Sequence, residues 1–132
     1  MKYDTVRIGS DLDILKARQQ GRTLARQIGF SGSNLTIIAT AISELARNIL
    51  LYAKAGELAL GPIEANGHRG IAVVARDRGP GIPDIARAMQ VGFSTSGSLG
   101  LGLPGAQRLM DEFEVVSEVG RGTTITAKKW LR

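Results

Sequence analysis

Apolar residues recur every three or four positions in two long stretches of the first half of the chain, and every second position through much of the rest. Ile14, Ala17, Gly21, Leu24 and Ile28 form the first stripe, predicting an amphipathic helix from Ser10 or Asp11 to Ile28, ended by Gly29. Leu35, Ile38, Ile42, Leu45, Ile49 and Tyr52 form the second, capped within Ser31–Asn34 and ended at Gly56. It is the strongest periodic signal in the chain. Alternation predicts an edge strand at Tyr3–Ile8 and further strands at Glu57–Ala65, Gly70–Asp77, Phe113–Val119 and Thr123–Trp130. Asn66-Gly67 joins two of these as a hairpin, because both residues tolerate positive φ, and leaves His68 beside it as a surface residue. Gly120-Arg121-Gly122 closes a second hairpin.

Behind Asp77 the chain breaks into Gly79, Pro80, Gly81 and Pro83, which cannot continue a strand. Pro83 suits the start of a short helix over Asp84–Gln90. The Ser/Gly-rich stretch Gly92–Gly102 lacks periodicity and predicts a mobile loop, followed by a short helix over Leu103–Met110. The order of elements predicts an α+β fold: a two-layer α/β sandwich whose mixed, mostly antiparallel sheet carries helices on one face. The 132 residues suffice for one domain spanning 1–132, with neither repeats nor a linker.

Composition narrows the chemistry. The absence of cysteine excludes disulfides and thiolate metal sites, and a single histidine argues against a zinc site. Lys2, Asp4 and Arg7 interrupt any signal-like run, and no stretch reads as the ~18–20 apolar residues of a membrane span. The expectation is a cytoplasmic protein with no membrane partner. Seventeen Lys and Arg against twelve Asp and Glu give a formal charge of +5. The basic residues are scattered, only Lys128 and Lys129 being adjacent, and aromatics are few, so no nucleic-acid partner is expected. A basic surface suits a nucleotide or an acidic protein.

Three places carry possible chemistry. Asp77 ends a strand before a turn almost without side chains, where a flat ligand can approach backbone while one carboxylate accepts a hydrogen bond; the plain alternative is a surface turn. Glu44 and Asn48 lie one helical turn apart, at the margin of the apolar stripe. The pair is either a solvated helix edge or a division of labour, in which Asn48 offers an oxygen to Mg²⁺ and Glu44 orients or deprotonates a hydroxyl. Gly100, Gly102 and Gly105 match G-x-G-x-x-G but follow a loop instead of a strand, so they read as a phosphate loop of another kind or as a lid. Thr123, after Gly122, stands near Asp77 if their strands are neighbours.

In this order the features resemble the GHKL (Bergerat-fold) ATP-binding superfamily over nearly the whole chain. The motifs Glu44-Leu-Ala-Arg-Asn48, Arg76-Asp77-x-Gly-Pro-Gly81-Ile, Ala88-Met89-Gln-x-Gly92-Phe-Ser94-Thr95-Ser96, Gly100-x-Gly102-Leu-Pro-Gly105 and Arg108-Leu-Met-Asp-Glu-Phe113 look like the small bacterial serine/threonine switch kinases of the stressosome, the RsbT type. The resemblance implies ATP and Mg²⁺ as ligands. It implies Asp77 as acceptor for the adenine amino group, with Gly79, Gly81, Ile82 and Thr123 completing the adenine pocket. It further implies Asn48 on Mg²⁺, Glu44 as base, and Gly100, Leu101 and Gly102 around the phosphates. Implied partners are STAS-domain antagonist and scaffold proteins of the stressosome, then a PP2C-type phosphatase or another output protein. The expected activity is phosphorylation of a Ser or Thr on such a STAS-domain protein. The alternatives are an anti-sigma or switch module that sequesters a partner with ATP as a structural ligand, and a simple ATPase. No Arg or Lys is an obvious γ-phosphate partner; Arg47, Lys54 and Arg108 are candidates by position, and Arg47 reads as a surface residue.

Overall fold

The computed structural model describes residues 3–79 and 102–132. Strand β1 (Asp4–Ile8) leads into helix α1 (Asp11–Ile28) and helix α2 (Ser33–Ala53). Strands β2 (Gly56–Ala65) and β3 (His68–Asp77) follow, then helix α3 (Gly102–Leu109) and strands β4 (Glu112–Glu118) and β5 (Gly122–Trp130). The sheet order is β1-β2-β3-β5-β4, and all four pairings are antiparallel. The α+β sandwich and the edge position of β1 are as expected. The expected helix over Asp84–Gln90 and the loop over Gly92–Gly102 lie outside the described residues, save for Gly102 at the start of α3.

The ends of the elements show how local chemistry shapes them. Ser10 is the N-cap of α1, yet its hydroxyl caps nothing; instead the Asp13 carboxylate accepts from the Gly9 N–H at 2.8 Å. That hydrogen bond is the main reason the Asp13 carboxyl is held below its ordinary pKa. Gly29, at φ 130°, closes α1, its N–H bonding the Ala25 and Arg26 carbonyls. In α2 the cap falls on Gly32, and the helix stops at Lys54 in the left-handed region, slightly before Gly56. Asn66 and Gly67 both take positive φ, as the β2–β3 hairpin requires. His68 is exposed beside it.

The core lies between the helices and one face of the sheet. Ile8, Leu58, Leu60, Ile71, Val73 and Ile125 face Ile38, Ile42, Leu45 and Ile49 of α2, all nearly inaccessible to water. Of the α2 stripe only Tyr52 escapes burial; on α1, Ala25 is buried where Leu24 is only partly so. One expectation is corrected. Helix α2 is by length and composition apolar enough to cross a membrane, contrary to the expectation that no stretch would qualify. More than half of its apolar window is buried inside the protein, so core packing accounts for its composition.

Candidate functional site

Toward the Asp77 end the apolar inner face of the sheet gives way to polar side chains. Antiparallel register sets Gly56 of β2 opposite Asp77 of β3, Asp77 opposite Thr123 of β5, and Thr123 opposite Ser117 of β4. Three polar side chains from adjacent strands therefore end a face otherwise built from Leu58, Ala75, Ile125 and Val115. The strands of Asp77 and Thr123 are neighbours, which meets the condition set by the sequence.

Asp77 is fixed through one oxygen. Its Oδ1 accepts from the Gly79 N–H at 2.9 Å, the reach-back by which an aspartate shapes its own turn, and from the Thr123 N–H at 3.2 Å. Thr123 is 4% exposed, and its hydroxyl lies 2.8 Å from the Ser117 hydroxyl. Two glycines let these strands close up. A Cβ on Gly122, which sits at φ 113°, would collide with the Asp77 carbonyl oxygen and come within 2.8 Å of Arg78 Cα. A Cβ on Gly56 would meet the Arg76 carbonyl and, at 2.8 Å, Ile49 Cγ2.

Helix α2 crosses this end of the sheet. Ile49 lies against Gly56, beside Asp77, and a Cβ on Gly79 would lie 2.6 Å from Ala53 Cβ. The turn after Asp77 thus packs on the last turn of α2. One and two helical turns earlier on α2 stand Asn48 and Glu44, 7% and 6% exposed, which with Thr123 are the buried polar side chains among the described residues. They are deeper than the core margin the sequence suggested. Arg47 pairs with Glu44, Nη1 to Oε1 at 3.2 Å, its own side chain 39% exposed. Arg47 is therefore not a plain surface residue: it neutralises a carboxylate that would be costly to bury alone. A cleft of about 1000 Å³ reaches Asp77 and Gly56, with Arg7, Arg76 and Arg78 beside Glu57 in its wall.

Asp77, Gly79 and Thr123 are thus together, and α2 brings Asn48 and Glu44 toward the same end of the sheet. Gly102 opens α3, which buries Leu103 and Ala106 against the core, with Met110 buried just past its end. Gly81, Ile82, Gly100 and Leu101 lie outside the described residues. Ser117 was not anticipated. Its place on the alternation of Phe113 and Val115 puts it on the inner face, but only the β4–β5 register reveals Thr123 across from it.

An acidic side chain and a threonine thus meet at one end of an antiparallel sheet, under a helix bearing a buried carboxylate and amide. The chain matches the histidine kinase-like ATPase domain over residues 11–129 and belongs to that family. Serine/threonine-protein kinase RsbT of Bacillus subtilis (strain 168) is 54% identical over 127 residues, covering 96% of this chain and 96% of its own. Anti-sigma F factors are more distant: 32% identity for that of Thermoanaerobacter sp. (strain X514), covering 87% of this chain and 83% of its own. That of Geobacillus stearothermophilus is 33% identical, covering 86% of each.

Proposed function

We propose that the chain is an ATP-dependent protein serine/threonine kinase, acting in the cytoplasm on a STAS-domain partner within a partner-switching pathway. The observation that carries the reading is the buried Glu44–Asn48 pair on α2, set toward the Asp77 end of the sheet. A helix surface serving only packing has no reason to bury a carboxylate and an amide there.

Each residue then has a task. The Asp77 oxygen not engaged by Gly79 and Thr123 accepts from the adenine amino group. The backbone of Gly79, Gly81 and Ile82, with Thr123, forms the rest of the base pocket, and Gly100, Leu101 and Gly102 give the phosphates backbone donors. Among the described residues no three acidic or histidine side chains cluster, so a metal held here rests on few protein ligands. Mg²⁺ fits, because it keeps waters and takes phosphate oxygens, needing only one or two protein ligands, here the Asn48 amide oxygen. Mg²⁺ bound there supplies charge neutralisation of the phosphates. Glu44 accepts the proton of the incoming Ser or Thr hydroxyl as its oxygen attacks the γ-phosphorus and ADP leaves. After phosphorylation, release from the STAS-domain scaffold frees the kinase to engage a PP2C-type phosphatase or a comparable output protein.

The second reading, a module that sequesters a partner with ATP as structural ligand, draws on the anti-sigma F factors among its relatives. One experiment separates the two. The protein is mixed with Mg²⁺-ATP and the STAS-domain protein encoded beside it, and the partner is weighed by mass spectrometry. A gain of one phosphate on a Ser or Thr supports the kinase; ATP binding without transfer favours the sequestering module.

A further inference from the structure

The two carboxylate oxygens of Glu44 stand differently. Oε1 accepts from Arg47 Nη1 at 3.2 Å, and among the described residues no other hydrogen bond reaches the carboxylate. The hydroxyls on the same stretch of α2 are spent on the helix itself. Thr40 Oγ1 donates to the Thr36 carbonyl at 2.8 Å, and Ser43 Oγ donates to the Ala39 carbonyl at 2.9 Å. Arg47 is thus the sole hydrogen-bond donor to Glu44 among the described residues. It reaches inward from the surface: its side chain is 39% exposed, that of Glu44 only 7%. Oε2 is left without a protein partner among those residues.

We propose that Arg47 is a positioning residue for phosphate transfer: by holding Glu44 Oε1 it fixes the carboxylate and leaves Oε2 to take the proton of the acceptor hydroxyl. The inference rests on the reading of Glu44 as the base. A glutamate carboxylate turns broadly about its last torsion, so an unanchored one spends part of its time out of line with the acceptor. Anchoring one oxygen removes that freedom, and a base held within hydrogen-bond reach is what the step requires. In that step the acceptor O–H bond breaks and its proton passes to Oε2. The acceptor oxygen bonds to the γ-phosphorus as the bond from that phosphorus to the departing ADP oxygen breaks. Arg47 stays on Oε1 throughout and touches neither ATP nor the acceptor, so it acts only through Glu44.

The test is a double-mutant cycle on the rate of phosphate transfer from Mg²⁺-ATP to the STAS-domain protein encoded beside the kinase, with ATP affinity followed by calorimetry. Methionine keeps the apolar stem of arginine without its charge, and R47A, built on the best helix former, gives the same comparison if methionine disturbs folding. R47M is expected to lose about 10- to 100-fold in transfer rate while ATP affinity stays within about threefold. R47K should recover most of that loss, because one contact at 3.2 Å needs a charged donor and not the guanidinium fork. Adding R47M to E44Q should change the E44Q rate by less than about twofold, since no base remains to be positioned. If R47M slows E44Q as much as it slows the wild type, Arg47 acts on the phosphates, the acceptor or the fold directly, and the proposal is overturned. It is overturned equally if R47M transfers phosphate at the wild-type rate. The base reading fails separately: E44Q at full rate, with Arg47 unchanged, removes it and the proposal with it.

Discussion

Asp77 and Thr123 stand directly opposite each other on β3 and β5, and the carboxylate of the first holds the backbone N–H of the second at 3.2 Å. The same oxygen holds the Gly79 N–H, so one side chain ties the end of β5 to the turn leaving β3. This arrangement isolates the other oxygen. In D77N the amide oxygen can still serve both N–H groups, while the free position becomes an NH₂ donor facing the adenine amino group. The fold should persist and ATP affinity should fall by about 1–3 kcal/mol, roughly 5- to 150-fold. Calorimetry checks it; unchanged affinity removes Asp77 from the base pocket.

Glu44 offers the sharpest separation of binding from chemistry. E44Q preserves shape but cannot take up a proton as a carboxylate does. Arg47 loses its charged partner, yet its 39% exposed side chain can hydrate, so the stability loss should stay within about 1 kcal/mol. ATP affinity should hold within about threefold, while phosphate transfer to the partner protein drops by about 10²- to 10⁴-fold, the usual worth of a positioned base. The two quantities come from calorimetry and a phosphorylation time course. A full rate in E44Q would leave Glu44 as half of a structural ion pair.

What the sequence revealed depended on how far apart the interacting residues lie. The α2 stripe, the Asn66-Gly67 hairpin and the stop after Asp77 are local, set by helical period, positive φ and the absence of a continuing strand, and all were legible. The depth of Glu44 and Asn48 was not. Spacing places them beside Leu45 and Ile49, but burial arises from packing of α2 on the sheet and the other helices, which no periodicity encodes. The N-cap falls at Ser10 as the sequence indicated, but the side-chain bond at that end of α1 is made by Asp13, which accepts from the Gly9 N–H. Ser117 was invisible because its partner lies across a hairpin whose register is fixed only once Gly120 and Gly122 have taken their positive-φ conformations.

Gly122 is expected to tolerate no side chain. Its φ of 113° lies where L-residues are strained, and a Cβ there would strike the Asp77 carbonyl, a backbone atom that cannot step aside. G122A should lower Tm by roughly 5–15 °C, from about 1–3 kcal/mol of strain together with displacement of Asp77. Gly67 provides the control, with φ 79° and nothing within 4 Å of its Cβ position. G67A should melt clearly above G122A. Equal melting points would mean that the crowding at Gly122 is relieved without cost.

Acid should loosen the far end of the sheet through Asp111. Partial burial pushes its carboxyl up, but the Trp130 N–H, the Arg132 guanidinium and Lys129 together outweigh this and hold it below its ordinary value. The bonds are short, 2.8 Å to each of Trp130 N and Arg132 Nη2. A carboxyl with a lowered pKa in the folded state stays ionised where the unfolded chain takes up a proton. Its contribution is therefore complete above the unfolded value, about 3.9, and is lost as pH falls through the folded one. Because the Arg132 side chain is 77% exposed, solvent screening limits that contribution to under about 1 kcal/mol. D111N, which cannot ionise, should melt up to about 3–5 °C below the wild type at pH 7. The gap should close as pH is lowered past the carboxylate range, because a protonated Asp111 is as uncharged as the amide that replaces it in the variant. Thermal melts of both proteins across that range decide the matter: a gap that stays constant down to the lowest pH would show that Asp111 stabilises the β4–β5 end by shape alone.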